Sequence, residues 1–327
     1  MSVSTPTVNT VLGPVPADEL GVVSVHEALL SVVPGAEYAF DVTLDRAEIF
    51  ETLAARLEDF RAHGGGTIVD NTGTFHGRDV RLLETLSRAT GVHLVASTGQ
   101  GPEELLGGYF LTPQTNPPTP WPADRFADLF AREITEGMVV PRVERRGAAG
   151  LVATAATAGG MTATDESLLR GAARAALRTG TAVSVRHDGG PVQALDVVMD
   201  EKLPADRVVV GGLDRKDAVA SGAPLEIARR GAYVGLDHVG TEGHAHLTDA
   251  ERAHLVADLI RAGFGDRVLL SSNATGVAKG HDGNDLPYSY VLTAFVPLLE
   301  GQGLGEEDVR RILVDNPREL LSVRRPR

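Results

Sequence analysis

The stretch VSVHEALLS (residues 23–31) decides the fold and also opens the chemical question. Val23 and Val25 belong to a short β-branched run, which predicts a buried strand, and His26 stands where that strand would end. Residues i and i+2 of a strand point to the same side, so a metal-binding barrel hydrolase would place a second histidine at position 28. The chain has Ala28 there. The stretch therefore indicates either a metal site with one ligand missing or a metal-enzyme fold that has lost its metal.

The composition is that of an ordinary globular protein. The 327 residues are 43% hydrophobic and 23% charged, which is enough chain for one large domain or two smaller ones. A net charge of −13 without any lysine or arginine run argues against nucleic-acid binding. The absence of cysteine excludes disulfides, thiolate ligands and a cysteine nucleophile. No signal peptide and no run of 18 apolar residues is found, so we expect a soluble, cytoplasmic protein with no membrane partner.

Eight short β-branched runs alternate with longer amphipathic segments, and this alternation predicts a (β/α)₈ TIM barrel. We expect one domain over residues 1–327, with 1–20 as an N-terminal extension and the proline-rich segment 99–122 as a long loop over the mouth. A doubly wound open sheet is less well supported, because it would need a glycine fingerprint after the first strand. The predicted strands are VVSV (22–25), TIVDNT (67–72), HLVAST (93–98), GLVATA (150–155), AVSVRH (182–187), RVVVGG (207–212), AYVGLDH (232–238) and RVLLSS (267–272).

The segments between these runs have the signals of helices. Those at 46–64, 79–91, 165–180 and 249–263 are amphipathic, and each ends in glycine before the next strand. Thr248 and Glu251 have the spacing of a capping box. In such a barrel the functional groups lie at the carboxyl ends of the strands. That rule selects His26, Glu27, Asp70, Asn71, Ala153, Arg186, His187, Asp188, Gly212, Asp214, Asp237, His238, Ser272 and Asn273 as candidates.

Several segments in collinear order resemble the phosphotriesterase-like family of the amidohydrolase superfamily. They cover almost the whole chain and include VLGPVPADELG (11–21), GGGTIVDNTGTFHGRD (64–79), GVHLVASTG (91–99), FADLFAREITEGM (126–138), RGAYVGLDHVG (230–240) and the carboxyl-terminal segment 290–322. The resemblance implies an amidohydrolase-like barrel and, since family members often pair, a homodimer. It also implies a binuclear metal centre whose bridging hydroxide attacks an ester, a lactone or a phosphotriester.

The ligands that the resemblance implies are largely missing from this chain. They are two histidines on strand one, a carbamylated lysine on strand four, histidines on strands five and six, and an aspartate on strand eight. His26 matches the first, and no lysine precedes Lys202. A guanidinium at the strand-five position would also repel a cation. We therefore predict a divergent member with neither a metal nor another cofactor. The remaining positions hold Ala28, Ala153, Arg186 (with His187 one residue out), Gly212 and Asn273.

Four residues are predicted to be catalytic: His26, His238, Asp237 and Asp70. His238 matches a substrate-pocket histidine of the family, whereas His26 could instead be a core histidine. Asp237 could orient an imidazole or cap its loop, and Asp70 could hold neighbouring backbone.

A second set is predicted to bind a small-molecule substrate. Arg186 would clamp a carboxylate or phosphate, unless it is ion-paired with a residue such as Asp70. Asn273 would bond a substrate oxygen. The aromatic members could line an apolar pocket or simply pack the loops. The full set is Arg186, Asn273, Glu27, His187, Tyr109, Trp121 and Tyr288. Loop histidines His244, His246 and His281 are more typical of solvent-exposed loops than of metal ligands.

These features favour a metal-independent enzyme that moves protons on a small organic molecule, with histidine as base and Asn or Arg binding oxygen. Dehydration, elimination, isomerisation or cyclisation, for instance in specialised metabolism, would suit it. Hydrolysis is harder without a metal to acidify water. A mononuclear metal-dependent hydrolase of lactones, esters or phosphotriesters and a non-catalytic ligand-binding protein are the alternatives. No G-x-S-x-G, P-loop or H-E-x-x-H motif is present.

Overall fold

The computed structural model describes residues 6–36, 39–74, 76–103, 111–112, 119–140, 143–157, 159–186 and 190–324. The eight predicted strands all form, and they lie side by side in one parallel sheet, which confirms the TIM-barrel prediction. In chain order they are β3 (Val22–Val32), β4 (Gly65–Asp70), β5 (His93–Thr98), β10 (Leu151–Ala155), β11 (Ala182–Arg186), β12 (Val208–Val210), β13 (Tyr233–Leu236) and β14 (Val268–Leu270). A ninth parallel strand, β15 (Thr275–Lys279), pairs with β3.

The alternation of side chains along the strands fills the barrel. In β4, Val69 packs into the interior cluster, whereas its neighbour Ile68 packs into the layer between sheet and helices. The same interior cluster contains one residue from each of several other strands, which is the layered packing expected of a small closed barrel. Its members include Val23, Val25, Val69, Val95, Leu151, Ala182, Val209, Tyr233 and Leu269.

Glu27 closes the ring between the first and last strands. After β14 the chain turns, and the backbone N–H groups of Ser272 and Ala274 both donate to the Glu27 carboxylate. The Ala28 N–H donates to the Ala274 carbonyl at 2.9 Å, and β15 then pairs with the second half of β3. A buried side chain thus supplies the hydrogen bonds that a regular ladder would make at this seam.

The strand predicted to end at His26 continues to Val32, so that boundary was wrong. Between Ser24 and Glu27 the pairing with β4 shifts register, because three residues of β3 span two of β4. Such an extra residue re-aims a side chain. Val25 therefore faces the barrel interior while the adjacent His26 also reaches the cavity at the mouth.

The described helices cover the outside of the barrel. They are α1 (Arg46–Ala62), α2 (Val80–Thr90), α3 (Ala123–Thr135), α4 (Ala163–Thr179), α5 (Pro191–Asp200), α6 (Lys216–Ala220), α7 (Ala223–Arg229), α8 (Asp249–Arg261), α9 (Val296–Gly301), α10 (Glu306–Arg310) and α11 (Asn316–Leu321). The four predicted helices match α1, α2, α4 and α8. The predicted capping box is confirmed, since Glu251 N–H donates to Thr248 Oγ1 and Thr248 N–H donates to Glu251 Oε2. None of the described helices is long and apolar enough to cross a membrane.

Short antiparallel strand pairs form small sheets of their own outside the parallel sheet. In the N-terminal segment, β1 (Thr7–Thr10) and β2 (Gly13–Pro16) form a hairpin, and Val11 N–H donates to the Leu94 carbonyl. In the predicted mouth loop, β6 (Leu111–Thr112) pairs with β7 (Thr119–Pro120). A third pair joins β8 (Val139–Val140) to β9 (Glu144–Arg145).

Candidate active site

A cavity of about 890 Å³ opens at the carboxyl ends of the barrel strands, a volume within the usual range for a small-molecule site. Every position that the family resemblance assigns to a metal ligand, with Arg186 taken for strand five, lines this cavity. The cavity also receives residues of the loops after β4, β5, β13 and β15. The fold thus places the altered positions together, and the question becomes what chemistry the replacements allow.

His238 and Asp214 form the best-defined pair in the cavity wall. The His238 Nδ1 lies 2.8 Å from Asp214 Oδ1, and the His238 backbone N–H donates to Asp214 Oδ2 at 2.9 Å. The Asp214 side chain is completely buried, whereas the His238 side chain is 12% exposed and lines the cavity. An anionic Asp214 accepts the Nδ1 proton, which leaves Nε2 as the basic nitrogen. This is the orientation that a general base requires.

Arg252 keeps Asp214 ionised. Its Nε donates to Asp214 Oδ2 at 2.7 Å and its Nη1 donates to Asp249 Oδ1 at 2.6 Å, with the Arg252 side chain fully buried. Burial alone would raise the pKa of Asp214, but the hydrogen bond from His238 and the charges of His238 and Arg252 outweigh it and hold the pKa at about 2. Asp214 is therefore a carboxylate at neutral pH, and its partners fix its position.

His246 packs against the His238 ring. The two ring centroids are 4.4 Å apart, and the loop that carries His246 is tied to the Asp214 segment by a bridge between Arg215 and His246. Burial, then the charge of His238, lowers the pKa of His246, so it stays neutral beside the pair. Of the loop histidines expected in solvent, His246 and His281 both line the cavity, and His246 lies against the pair.

His26 lies in the cavity as a neutral imidazole. It is 7% exposed, and burial lowers its pKa to about 4 despite the opposing charge of Asp237. Its Nδ1 is 3.8 Å from Asp237 Oδ2, which is too long for a hydrogen bond. Asp237 instead accepts from the Gly212 N–H at 2.9 Å and from Ser271 Oγ at 3.2 Å. These contacts hold the segments after β12 and β14, which is closer to the loop-capping role considered for Asp237 than to orienting an imidazole.

Arg186 reaches the cavity from the end of β11, and its side chain is exposed there. The ion pair with Asp70 considered as an alternative is not present, because Asp70 accepts from the Leu29 N–H, the Thr72 N–H and the Thr72 hydroxyl. Asp70 is 1% exposed and lies outside the cavity lining. These contacts correspond to the backbone-holding role considered for Asp70, and Asp70 is not among the described residues that line the cavity.

Asn273 occupies the end of β14 with a left-handed backbone, φ +48°. This conformation is costly for most residues and tolerated by asparagine, and such strain concentrates at functional sites. Its side chain lines the cavity. The neighbouring Glu27, also predicted to bind substrate, is instead committed to the Ser272 and Ala274 N–H groups and to Ser24 Oγ at 2.5 Å.

Two predicted aromatic contacts lie away from the cavity. Trp121 packs against Phe126 at 5.6 Å between ring centroids and lies under the Arg125 guanidinium. Tyr288 is 1% exposed, and its hydroxyl donates to the Ala28 carbonyl at 2.8 Å. Both therefore pack loops, as the alternative interpretation held. The other two predicted contacts, Tyr109 and His187, lie outside the described residues.

The donor set does not fit the family's binuclear centre. Two divalent ions need several N or O ligands on each and a bridging carboxylate. Around His26 the corresponding positions are alanine, glycine, asparagine and a guanidinium. Among the residues that the structure describes, no group of three or more His, Asp or Glu side chains could hold a metal ion.

Sequence reasoning had placed Asp214 at the mouth but did not pair it with His238, and it missed Arg252 altogether. The one available signal was that Asp214 and His238 follow neighbouring strands. Nothing in the helix pattern of α8 marks Arg252 as buried.

The model of the Phosphotriesterase family matches residues 6–321. The chain belongs to the phosphotriesterase family. This assignment confirms the resemblance inferred from the segments above.

Named relatives of this family member are distant but nearly full-length. The Phosphotriesterase homology protein of Mycobacterium tuberculosis is 27% identical over 96% of this chain and 97% of its own. An N-acetyltaurine hydrolase of Salmo salar is 25% identical over 98% and 99%, and an Aryldialkylphosphatase of Saccharolobus solfataricus is 27% identical over 93% and 96%. A solved structure concerned with organophosphate hydrolysis engineered from a weak promiscuous lactonase template superposes with a TM-score of 0.86. It is 24% identical over 97% of this chain and 100% of that one, which supports the fold.

Proposed function

We propose that this chain is a hydrolase that cleaves an acyl bond, such as an ester, a lactone or an amide, with water activated by the His238–Asp214 pair. The observation that carries the proposal is the 2.8 Å contact between His238 Nδ1 and a fully buried Asp214 at the edge of the cavity. The named relatives support hydrolysis, since two of them are called hydrolase or phosphatase. Their names favour it over the non-hydrolytic proton transfer that the sequence analysis preferred.

In the proposed reaction His238 Nε2 takes a proton from water as the water oxygen attacks the acyl carbon. The carbonyl oxygen becomes negative, and the imidazolium then returns the proton to the leaving alcohol or amine as the acyl bond breaks. Asp214 stabilises the imidazolium through Nδ1, because it remains ionised beside Arg252. Such a positioned base contributes about 10²- to 10⁴-fold to the rate.

Asn273 and His26 are the neutral groups available to the developing oxyanion. The Asn273 carboxamide carries two N–H donors, and a neutral imidazole carries one. Both residues line the cavity, and the low pKa of His26 keeps it neutral across the physiological range. Preorganised donors of this kind, aimed at charge that appears in the transition state, are worth about 10²-fold or more each.

The same pair of imidazoles could serve the non-hydrolytic proton transfers predicted from sequence. One observation favours keeping this second candidate: both His26 and His238 reach one cavity whose remaining ligand positions have lost their metal-binding groups. The two candidates differ in a single atom of the product. Hydrolysis places a water oxygen in the acid product, whereas isomerisation and cyclisation incorporate none.

The experiment is a screen of esters, lactones and N-acyl amines in H₂¹⁸O, read by mass spectrometry, with wild-type protein and the variants His238→Ala and Asp214→Asn. We expect the wild-type protein to form a product that contains one ¹⁸O atom, and we expect neither variant to form it. A parallel run in D₂O detects proton transfer. If the product takes up deuterium there but contains no ¹⁸O in the first run, the enzyme catalyses proton transfer and not hydrolysis. Turnover that is unchanged in both variants would remove the pair from the mechanism.

A further inference from the structure

We propose that the substrate carries an anionic group, and that Arg186 binds this group on the β5–β10–β11 side of the cavity. This inference extends the proposed function and rests on it, because the bound anion is taken to be part of the molecule that is hydrolysed. This side of the cavity adjoins the strands that carry the His238–Asp214 pair, since β11 pairs with β12, and the proposed reaction gives it no role.

The strand register places the relevant groups next to one another. Arg186 pairs with Ala155 across β10 and β11. The loop after β5 lies against the same residue, because a Cβ added to Gly101 would come within 2.6 Å of the Ala155 carbonyl oxygen. Gln100 and Arg186 therefore flank the end of β10 from its two sides, and Thr154 lies between them at the cavity surface.

Two of these side chains are buried and have no hydrogen-bond partner among the residues that the structure describes. Gln100 is 3% exposed, and this holds for both its Nε2 and its Oε1. Thr154 is 5% exposed, and it holds for its hydroxyl. Buried polar atoms are almost always satisfied in folded proteins, and each exception needs an explanation. Because Gln100 and Thr154 line the cavity, these atoms lie next to the space that a ligand would fill, and a small shift of the side chains would bring them into contact with it.

The charge balance of the wall selects an anion. Within the described residues Arg186 has no ion pair, whereas the other arginine of the cavity, Arg215, has its Nε 3.2 Å from Asp217. The described lining has two carboxylates: Glu27 is buried and occupied by the barrel seam, and Asp282 is exposed in the loop after β15, with no ion pair to Arg186. The charge of Arg186 is felt inside the cavity, since it contributes to the low pKa of both His26 and His76.

The chemistry of the guanidinium defines the ligand class. A planar fork of N–H donors matches the paired oxygens of a carboxylate, a sulfonate or a phosphate monoester. An exposed guanidinium in an open cavity also keeps its hydration until the anion arrives, so it costs little in the free protein. The substrate would thus present its anion at β11 and its acyl bond at His238.

The test separates binding from turnover. N-acetyl-β-alanine and its neutral amide, together with acetate, methanesulfonate and inorganic phosphate, are titrated by calorimetry into wild-type protein, Arg186→Ala and Gln100→Leu. Arg132→Ala is the matched control, because it removes the same charge from an exposed position on α3. We expect one or more anions to bind, the amide to bind about tenfold or more weakly than its acid, and Arg186→Ala to abolish that preference. Arg132→Ala should retain it.

The two proposals fail in different ways. Anion binding that depends on Arg186 in a protein that hydrolyses nothing keeps this inference and overturns the proposed function. Hydrolysis of neutral and anionic acyl compounds with equal kcat/KM, unchanged in Arg186→Ala, keeps the function and overturns this inference. Absence of binding by all of the anions, or equal affinity for acid and amide, also overturns it.

Discussion

Glu27 and Asp214 are both buried carboxylates at the barrel mouth, and their surroundings give them opposite properties. Burial raises the pKa of Glu27 to about 7, because its hydrogen bonds from Ser24, Ser272 and Ala274 are neutral and only partly offset desolvation. Asp214 also pays for burial, but His238 and Arg252 bring its pKa to about 2. The difference teaches that the partner, and not the depth, decides whether a buried acid holds the fold or serves chemistry.

The largest expected effect is on the catalytic side of this comparison. Asp214→Asn should lower kcat about a thousandfold or more, because the amide no longer stabilises an imidazolium and favours the wrong tautomer of His238. The substrate found in the ¹⁸O screen provides the assay, with circular dichroism to verify folding. Asp249→Asn is the control, since it removes a carboxylate from the same Arg252 without touching His238. An equal loss in both variants would mean that Arg252 burial, and not the pair, was disturbed.

The next effect is on the structural side. Glu27→Ala should reduce the free energy of unfolding by about 2–4 kcal/mol, because it leaves the Ser272 and Ala274 N–H groups unpaired at the barrel seam. Glu27→Gln should lose less, since its amide oxygen still accepts a hydrogen bond. Urea denaturation followed by circular dichroism measures both. Equal stability of Glu27→Ala and the wild type would show that the seam closes without this side chain.

The two acids should also act in separate pH ranges. For Glu27 the folded pKa of about 7 exceeds the ordinary value of 4.5, so its contribution to stability is fully present below pH 4.5 and is lost as pH rises through about 7. Asp214 has the opposite sign: its contribution is present above pH 3.8 and is lost as pH falls through about 2.

The contribution of Glu27 is the difference between the unfolding free energies of the wild type and Glu27→Gln at each pH. The contributions of the other titrating groups are the same in both proteins and cancel. Between pH 4.5 and 7 the unfolding free energy of the wild type, relative to Glu27→Gln, should fall by up to about 3 kcal/mol. Denaturant unfolding curves of the two proteins at several pH values give these free energies. A wild-type advantage that grows with pH in this range would reverse the sign and refute the raised pKa.

The smallest effect concerns an aromatic residue that the sequence placed in the pocket. Tyr288→Phe removes the bond to the Ala28 carbonyl and should cost about 1 kcal/mol of stability. Because Tyr288 lies outside the cavity lining, kcat/KM should stay within about twofold of the wild-type value, as expected for a residue without substrate contact. A selective increase in KM would return Tyr288 to the binding site.

Features that depend on neighbouring residues could be predicted from the sequence, and features that depend on distant pairing could not. The strands and the capping box at Thr248 follow from periodicity and nearby residues, and the barrel rule then brought His26, Arg186, His238 and Asn273 to one cavity. The bulge that turns His26 inward depends on the pairing of β3 with β4, which single-strand patterns do not contain.

Long-range side-chain pairing was the harder part. Arg252 lies 38 residues from Asp214, and the bond between them depends on how the first turn of α8 lies against the loop after β12. The choice that the sequence left open for Trp121 was hard for a similar reason, since the path of a loop decides whether its ring faces the cavity or packs against Phe126. Neither the Arg252–Asp214 pair nor the Trp121–Phe126 contact produces a periodic pattern in the sequence.

The measurement that tests the central claim most directly is hydrolysis assayed alongside metal content on the same purified samples. The protein is prepared from zinc- and manganese-supplemented cells without chelator, and its metals are quantified by mass spectrometry. The account predicts that hydrolysis persists with far less than one metal ion per chain and disappears in His238→Ala. Two ions per chain, with activity that rises in proportion to metal and survives in His238→Ala, would contradict it and show that other residues rebuild the family's centre.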